Sequence, residues 1–122
     1  MLDQSRDIDR LSDMKEFSKL IVNHLATVDE AEFSQNDLTR YGLLKMMENI
    51  GEAAYQISRG TKAEFANLEW EKIIGARHVY VHDYYKIDWA KIWVSLRTID
   101  FTFIISETEN IIGILKKRFS IE

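Results

Sequence analysis

Residues 88–118, DWAKIWVSLRTIDFTFIISETENIIGILKKR, decide the fold class. The stretch holds no proline and a single glycine, Gly113. Its apolar residues (Trp89, Ile92, Trp93, Leu96, Ile99, Phe101, Phe103, Ile104, Ile105, Ile111, Ile112 and Leu115) spread round most of a helical wheel. Asp88 is a good N-cap, and the spacing predicts one helix over about residues 89–118, roughly 45 Å long. Ile99–Ile105 alternates well enough to pass for a strand, but the length and the lack of turn residues decide for helix. A helix apolar on every side must be buried on every side, which a small four-helix domain cannot do alone. A homodimer is therefore expected.

The rest of the chain agrees with long helices. It has 122 residues, 46% of them apolar, with five glycines, no proline and no cysteine. That is material for one domain over residues 1–122, with too few turn-formers for a sheet sandwich and no thiolate chemistry. A first helix is expected over Asp9–Val28 from the stripe Leu11, Met14, Phe17, Leu20/Ile21, Leu25 and Val28, and Asp29–Phe33 reads as a connection. A second helix should start near Ser34 and carry Leu43, Met47, Ile50, Ala54 and Ile57, ending about Ser58 with Arg59-Gly60 as its stop. Residues 60–68 read as a loop. A third helix is expected from Glu69–Trp70 to about His82, with Asp83–Ile87 less clearly helical.

Net charge is −4. Residues 1–58 carry six basic and eleven acidic side chains, whereas residues 59–97 carry seven and five. A polyanion would meet the middle of the chain first. The polar, acid-rich start MLDQSRDIDR lacks a signal-peptide core, and no window is apolar enough to span a membrane, so a cytoplasmic protein is the expectation.

The densest chemistry lies in Gly75–Tyr85, GARHVYVHDYY, where Arg77, His78, Tyr80, His82, Asp83, Tyr84 and Tyr85 crowd together. On a straight helix Arg77 and Tyr84 stack on one side, while His78 and His82 share the other. Arg77 and His82 then differ by about 140°, so either the helix breaks near His82 or another element or subunit completes the site. The third histidine, His24, sits in the first helix and reads as structural.

Arg77, four residues, His82, one residue, Tyr84 resembles the Arg-x4-His-x-Tyr motif of HepT-type HEPN-domain proteins. Ile50-Gly-Glu-Ala-Ala-Tyr-Gln-Ile-Ser58 is similar to that family's second-helix signature. Trp70 with Ile73-Ile74-Gly75 before the arginine, and Ile87-Asp88 with Trp93 after it, match in kind and spacing, so the resemblance covers about residues 5–117. It departs at His78, where Asn or Asp is common, and at Asn67-Leu-Glu before Trp70, where a proline is common.

The resemblance implies an all-α, four-to-five-helix up-and-down bundle that forms a homodimer or a higher oligomer. It implies a metal-independent ribonuclease toxin without a cofactor, with Arg77 and His82 catalytic in a cleft shared by two subunits. It also implies a cognate MntA-type nucleotidyltransferase antitoxin that transfers AMP from ATP to Tyr84. Histidine titrates nearest neutrality, which suits His82 to acid–base work, and arginine can fork two bonds to a phosphate. His78, Asp83 and Glu52 are candidate supporting or RNA-contacting residues.

Plainer readings stand beside these. Arg77 could pair with Glu71 or Asp83, and His82 could cap a helix C-terminus. Glu52 is open between a partner for Arg77 and a solvated charge. Lys116-Lys117-Arg118 reads as a helix end finished with cations. His78 and His82 have the spacing of a metal pair but lack an evident third ligand, which ranks a metal site below the ribonuclease. A non-catalytic module that binds a nucleotidyltransferase is the other alternative.

Overall fold

A computed structural model of the chain describes residues 2–77, 81–83 and 86–120. The fold is an all-α bundle with one short hairpin. Helix α1 (Leu2–Leu25) lies against both α3 (Asp37–Gln56) and α7 (Phe101–Arg118). Its inward stripe is Ile8, Leu11, Met14, Ser18 and Ile21, at steps of three and four. Leu43, Met47, Ile50 and Ala54 of α3 and Ile104, Ile111 and Leu115 of α7 complete the core around it.

Several boundaries differ from the sequence expectation, each for a local reason. The acidic segment after α1 is itself a helix, α2 (Glu30–Gln35), because the Asp29 side chain accepts from Glu32 N–H at 2.9 Å. Asn36, not Ser34, caps α3, accepting from Thr39 N–H at 3.0 Å. Helix α3 stops at Gln56, and Ser58 then caps a further short helix, α4 (Arg59–Glu64), inside the segment expected to be loop. No described glycine has a positive φ, so Gly60 supplies no left-handed stop.

A buried carboxylate fixes that corner. Asp7, 3% exposed, accepts from Ser58 N–H at 3.0 Å, from the Ser58 hydroxyl at 2.6 Å and from the Thr61 hydroxyl at 2.5 Å. The start of α1 is thereby tied to the cap of α4. Nearby, Arg118 donates to Glu64 at 2.9 and 2.6 Å and to Gln4 at 3.2 Å. Arg118 thus joins α7 to α4 and α1, a role beyond finishing its helix with positive charge.

The third expected helix is much shorter. Helix α5 (Trp70–Gly75) ends where Ala76 N–H reaches back to Ile73 and Ile74 carbonyls. Past it come β-branched and aromatic residues such as Val79, Tyr80 and Val81, which lose side-chain freedom in a helix. Val81–Asp83 (β1) and Lys86–Ile87 (β2) pair antiparallel, Val81 opposite Ile87 and Asp83 opposite Lys86, with a bulge in β1.

The long last helix is two helices, α6 (Trp89–Thr98) and α7, as expected capped by Asp88 at its start. Ile99 is extended, and Asp100 opens α7 by accepting from Phe103 N–H at 2.9 Å. An aspartate that bonds the backbone three residues ahead favours a new first turn over continuation. The break lets Ile92 and Leu96 of α6 and Phe101 and Ile104 of α7 all reach the core. Only Val94, Phe103 and Ile114 remain exposed as large apolar residues on α6 and α7. The apolar excess that a straight helix would expose is largely gone, and with it the premise from which a dimer was expected. No helix of the described residues is long and apolar enough to cross a membrane.

Candidate functional site

Arg77 stands in the turn after α5, not on a helix. Its N–H donates to Ile74 O at 3.2 Å, and its backbone presses against α3 at Gly51. A Cβ on residue 51 would lie 2.9 Å from Arg77 N, 2.9 Å from Ile73 O and 3.0 Å from Arg77 Cβ. Glycine is what lets the end of α5 come this close. One turn along α3, the Tyr55 ring lies beneath the guanidinium, with Cζ 3.6 Å from the ring centroid.

Among the described side chains Glu52 is the nearest acidic partner, with Oε2 3.8 Å from Arg77 Nη1, beyond hydrogen-bond range. Its side chain is 53% exposed against 24% for Arg77. Arg77 Nε is buried with no acceptor among the described residues. Among the described residues, the guanidinium is thus seated by packing on Tyr55 with one carboxylate at ion-pair distance. Glu52 combines both open readings: it neighbours Arg77 and remains a largely solvated charge.

Lys45, Glu48, Asn49, Glu52 and Arg77 line one open groove along α3. Burial pushes the Glu48 carboxyl above its ordinary value, partly offset by Lys45. Two cations and two carboxylates leave the groove close to neutral, so it would attract a polyanion only weakly. Sequence reading assigned no role to Gly51, Tyr55, Lys45 or Asn49. The available signals for Gly51 were a glycine in the interior of a helix and its place in the Ile50–Ser58 signature.

Of the other candidates, His82 and Asp83 have their backbone in β1, and their side chains lie outside the described ones. His78 and Tyr84 lie outside the described residues. Because α5 stops at Gly75 and His82 is in a strand, the helical angles drawn between Arg77, His78, His82 and Tyr84 do not apply. The same ending removes the helical basis of a His78–His82 metal pair. His24, read as structural, shares a 2.8 Å hydrogen bond between Nδ1 and Leu20 O in the last turn of α1.

A family model described as ribonuclease HepT-like matches residues 7–111. The chain belongs to the HepT-like family. A Methanocaldococcus jannaschii protein named as a candidate RNase is 30% identical over 83 residues, covering 68% of this chain and 76% of that protein. A second one from the same organism, named likewise, is 27% identical over 83 residues, 68% and 69% of the two chains. A Thermococcus cleftensis protein named as a probable ribonuclease HepT is 24% identical over 89 residues, 73% and 81% of the two chains. No solved structure matches this chain significantly.

Proposed function

We propose that this HepT-like protein is a metal-independent endoribonuclease, the toxin of a two-protein system, acting as a homodimer through Arg77 and His82. The observation that carries the reading is the seating of Arg77: a guanidinium stacked on Tyr55 at an open groove, with Glu52 the nearest carboxylate among the described side chains, at 3.8 Å. Family membership supplies the reaction class.

In this reaction the RNA 2′-oxygen attacks the adjacent phosphorus, and its proton passes to the neutral His82 imidazole. The O2′–P bond forms as the P–O5′ bond breaks, and the leaving 5′-oxygen takes a proton from water, while the His82 imidazolium returns its own proton to solvent. The products are a 2′,3′-cyclic phosphate and a 5′-hydroxyl. Arg77 neutralises the crowded phosphorane through its planar fork of donors.

Silencing follows the same charges. A cognate MntA-type nucleotidyltransferase would join the Tyr84 phenol oxygen to the α-phosphorus of ATP, releasing pyrophosphate and the phenol proton. The nucleotide so attached brings a negative charge that competes for Arg77.

The test is cleavage of RNA by the purified protein in EDTA, beside Arg77→Ala and His82→Ala. We expect wild type to cut and both variants to lose at least about 100-fold, the scale of a lost charge-stabilising or proton-transfer group. Equal degradation by all three would place the activity in a contaminant. The near-neutral groove favours one second reading, a non-catalytic module that binds the nucleotidyltransferase. A tight complex with no cleavage by wild type would select it.

A further inference from the structure

A larger open groove, 660 Å³, lies between α4 and α5. That volume falls in the range of sites that hold small organic ligands, roughly 300–1,000 Å³. Arg59 and Lys62 of α4 and Lys72 of α5 line it, together with the apolar Ala63, Trp70 and Ile74. Glu69 and Glu71 are its carboxylates. Among the described side chains, none of the three cations has a carboxylate at ion-pair distance, whereas Arg10, Arg40 and Arg118 elsewhere each sit against one.

The groove leads to Arg77. Lys62 Nζ donates to Ala54 O at 3.2 Å and to Tyr55 O at 3.4 Å, at the end of α3. The ring of that same Tyr55 lies under the Arg77 guanidinium, and Ile74 in the groove wall accepts the Arg77 N–H at 3.2 Å. Lys62 and Arg77 are thus seated on the backbone and the ring of one tyrosine. Burial pushes the Lys62 ammonium below its ordinary value; Glu71 and Asp7 oppose the shift, while Arg59 and Arg77 add to it. Lys62 therefore feels a cation within the groove and the one beyond it. With Arg77 and its neighbour Glu52 included, four cations face three carboxylates, a local balance of +1 on a chain whose net charge is −4.

We propose that the groove between α4 and α5 binds the phosphodiester backbone of single-stranded RNA through Arg59, Lys62 and Lys72 and leads the strand to Arg77.

Cations spaced among apolar side chains suit a strand whose phosphates and turned-out bases are both open to the protein. A duplex keeps its bases stacked inside and would leave the apolar lining unused. The groove extends contact from the phosphate at Arg77 to its neighbours along the chain, which a polymer of phosphates can use and a lone anion cannot. What happens to the strand at Arg77 rests on the ribonuclease reading; its binding in the groove does not.

The experiment is fluorescence anisotropy of a short labelled single-stranded RNA with the full chain carrying His82→Ala, which leaves the strand uncut. Arg59→Gln and Lys72→Gln are made in that parent, since both side chains are exposed. Each lost phosphate contact should reduce the slope of log affinity against log salt by about 0.7 and weaken binding about 5-fold at 0.1 M salt, the double variant about 25-fold. Glu71→Gln removes a repelling charge and should tighten binding, an opposite shift that a damaged fold does not produce. Lys19→Gln on α1 removes the same charge outside the groove and should change neither quantity. A double variant that binds like its parent, an unaltered salt slope, or duplex RNA held as tightly as the single strand would each overturn the proposal. Polyglutamate that displaces the strand as readily as polyuridylate does would assign the groove to an acidic protein and overturn it too. RNA cleavage by the same substitutions in the chain that keeps His82 separates the two ideas. Binding that follows the charges with no cleavage by wild type keeps the groove and removes the ribonuclease. Cleavage by a protein whose RNA affinity ignores them keeps the ribonuclease and removes the groove.

Discussion

Replacing Gly51 by alanine tests whether the contact between α3 and the end of α5 places Arg77. The added methyl would sit 2.9 Å from two backbone atoms, Arg77 N and Ile73 O, and 3.0 Å from Arg77 Cβ. Ordinary carbon contacts lie near 3.5–4.0 Å, so α5 and its following turn must withdraw by roughly 0.5–1 Å. Backbone cannot rotate away as a side chain can. Overpacking of this kind costs about 1–3 kcal/mol, against which alanine returns about 1 kcal/mol of helix propensity. The net is about 0–2 kcal/mol of lost stability, a fall in melting temperature of up to roughly 10 °C for a chain this size. Activity should suffer more than stability, since a shift of about 1 Å in a positioning contact can cost about 100-fold. Gly113→Ala on α7 is the control: nothing lies within 4 Å of its added Cβ, and it should stabilise by about 0.5–1 kcal/mol. Calorimetry and a fluorogenic RNA substrate read both effects. A Gly51→Ala protein that melts higher, as the control does, and cuts RNA at the wild-type rate would refute the placement.

Three further outcomes follow from the same contacts. Tyr55→Ala removes the ring under the Arg77 guanidinium and should slow RNA cleavage by roughly 2–30-fold, the range of about 0.5–2 kcal/mol for such a pair, while Tyr55→Phe keeps the ring and should stay near wild type. Asp7→Ala strands the Ser58 and Thr61 donors at a buried site and should cost about 2–4 kcal/mol in urea unfolding; a loss below about 0.5 kcal/mol would contradict the network. Arg118 and Gln4 hold the exposed Glu64 carboxyl down at about 2, from an ordinary value of 4.5. A depressed carboxyl adds stability above its unfolded value and loses it as pH falls from about 4.5 to about 2. Glu64→Gln should flatten the unfolding midpoint across that window, and an unchanged acid limb would exclude the pair as its source.

What the sequence disclosed was periodicity and local capping. The α3 strip of Leu43, Met47, Ile50 and Ala54 is buried as its spacing indicates, and Asp88 caps α6 as its position indicates. Periodicity cannot, however, register a corner that keeps the apolar pattern running. Ile99–Asp100 turns the chain without a glycine or proline, and the apolar residues continue through it, so one helix was expected where two exist. Asp29 and Asn36 were equally hard to weigh, because each is an ordinary polar residue until its side-chain oxygen is seen accepting from the turn ahead. At the site, the motif singled out Arg77, and Glu52 beside it was foreseen as one of two options. The part played by Gly51 was illegible, because it depends on how closely a second helix approaches, a quantity that no spacing within α3 encodes.

The packing of α1 on α7 has a consequence for biosynthesis. Of the described helices, α1 leaves the ribosome first and α7 last, yet Leu11, Met14 and Ile21 find their cover in the same core as Ile111 and Leu115. Helix α1 can meet α3 earlier, but the side of it that faces α7 stays bare until translation of that helix is nearly complete. A message cut short before that helix would therefore yield a fragment whose core is not closed.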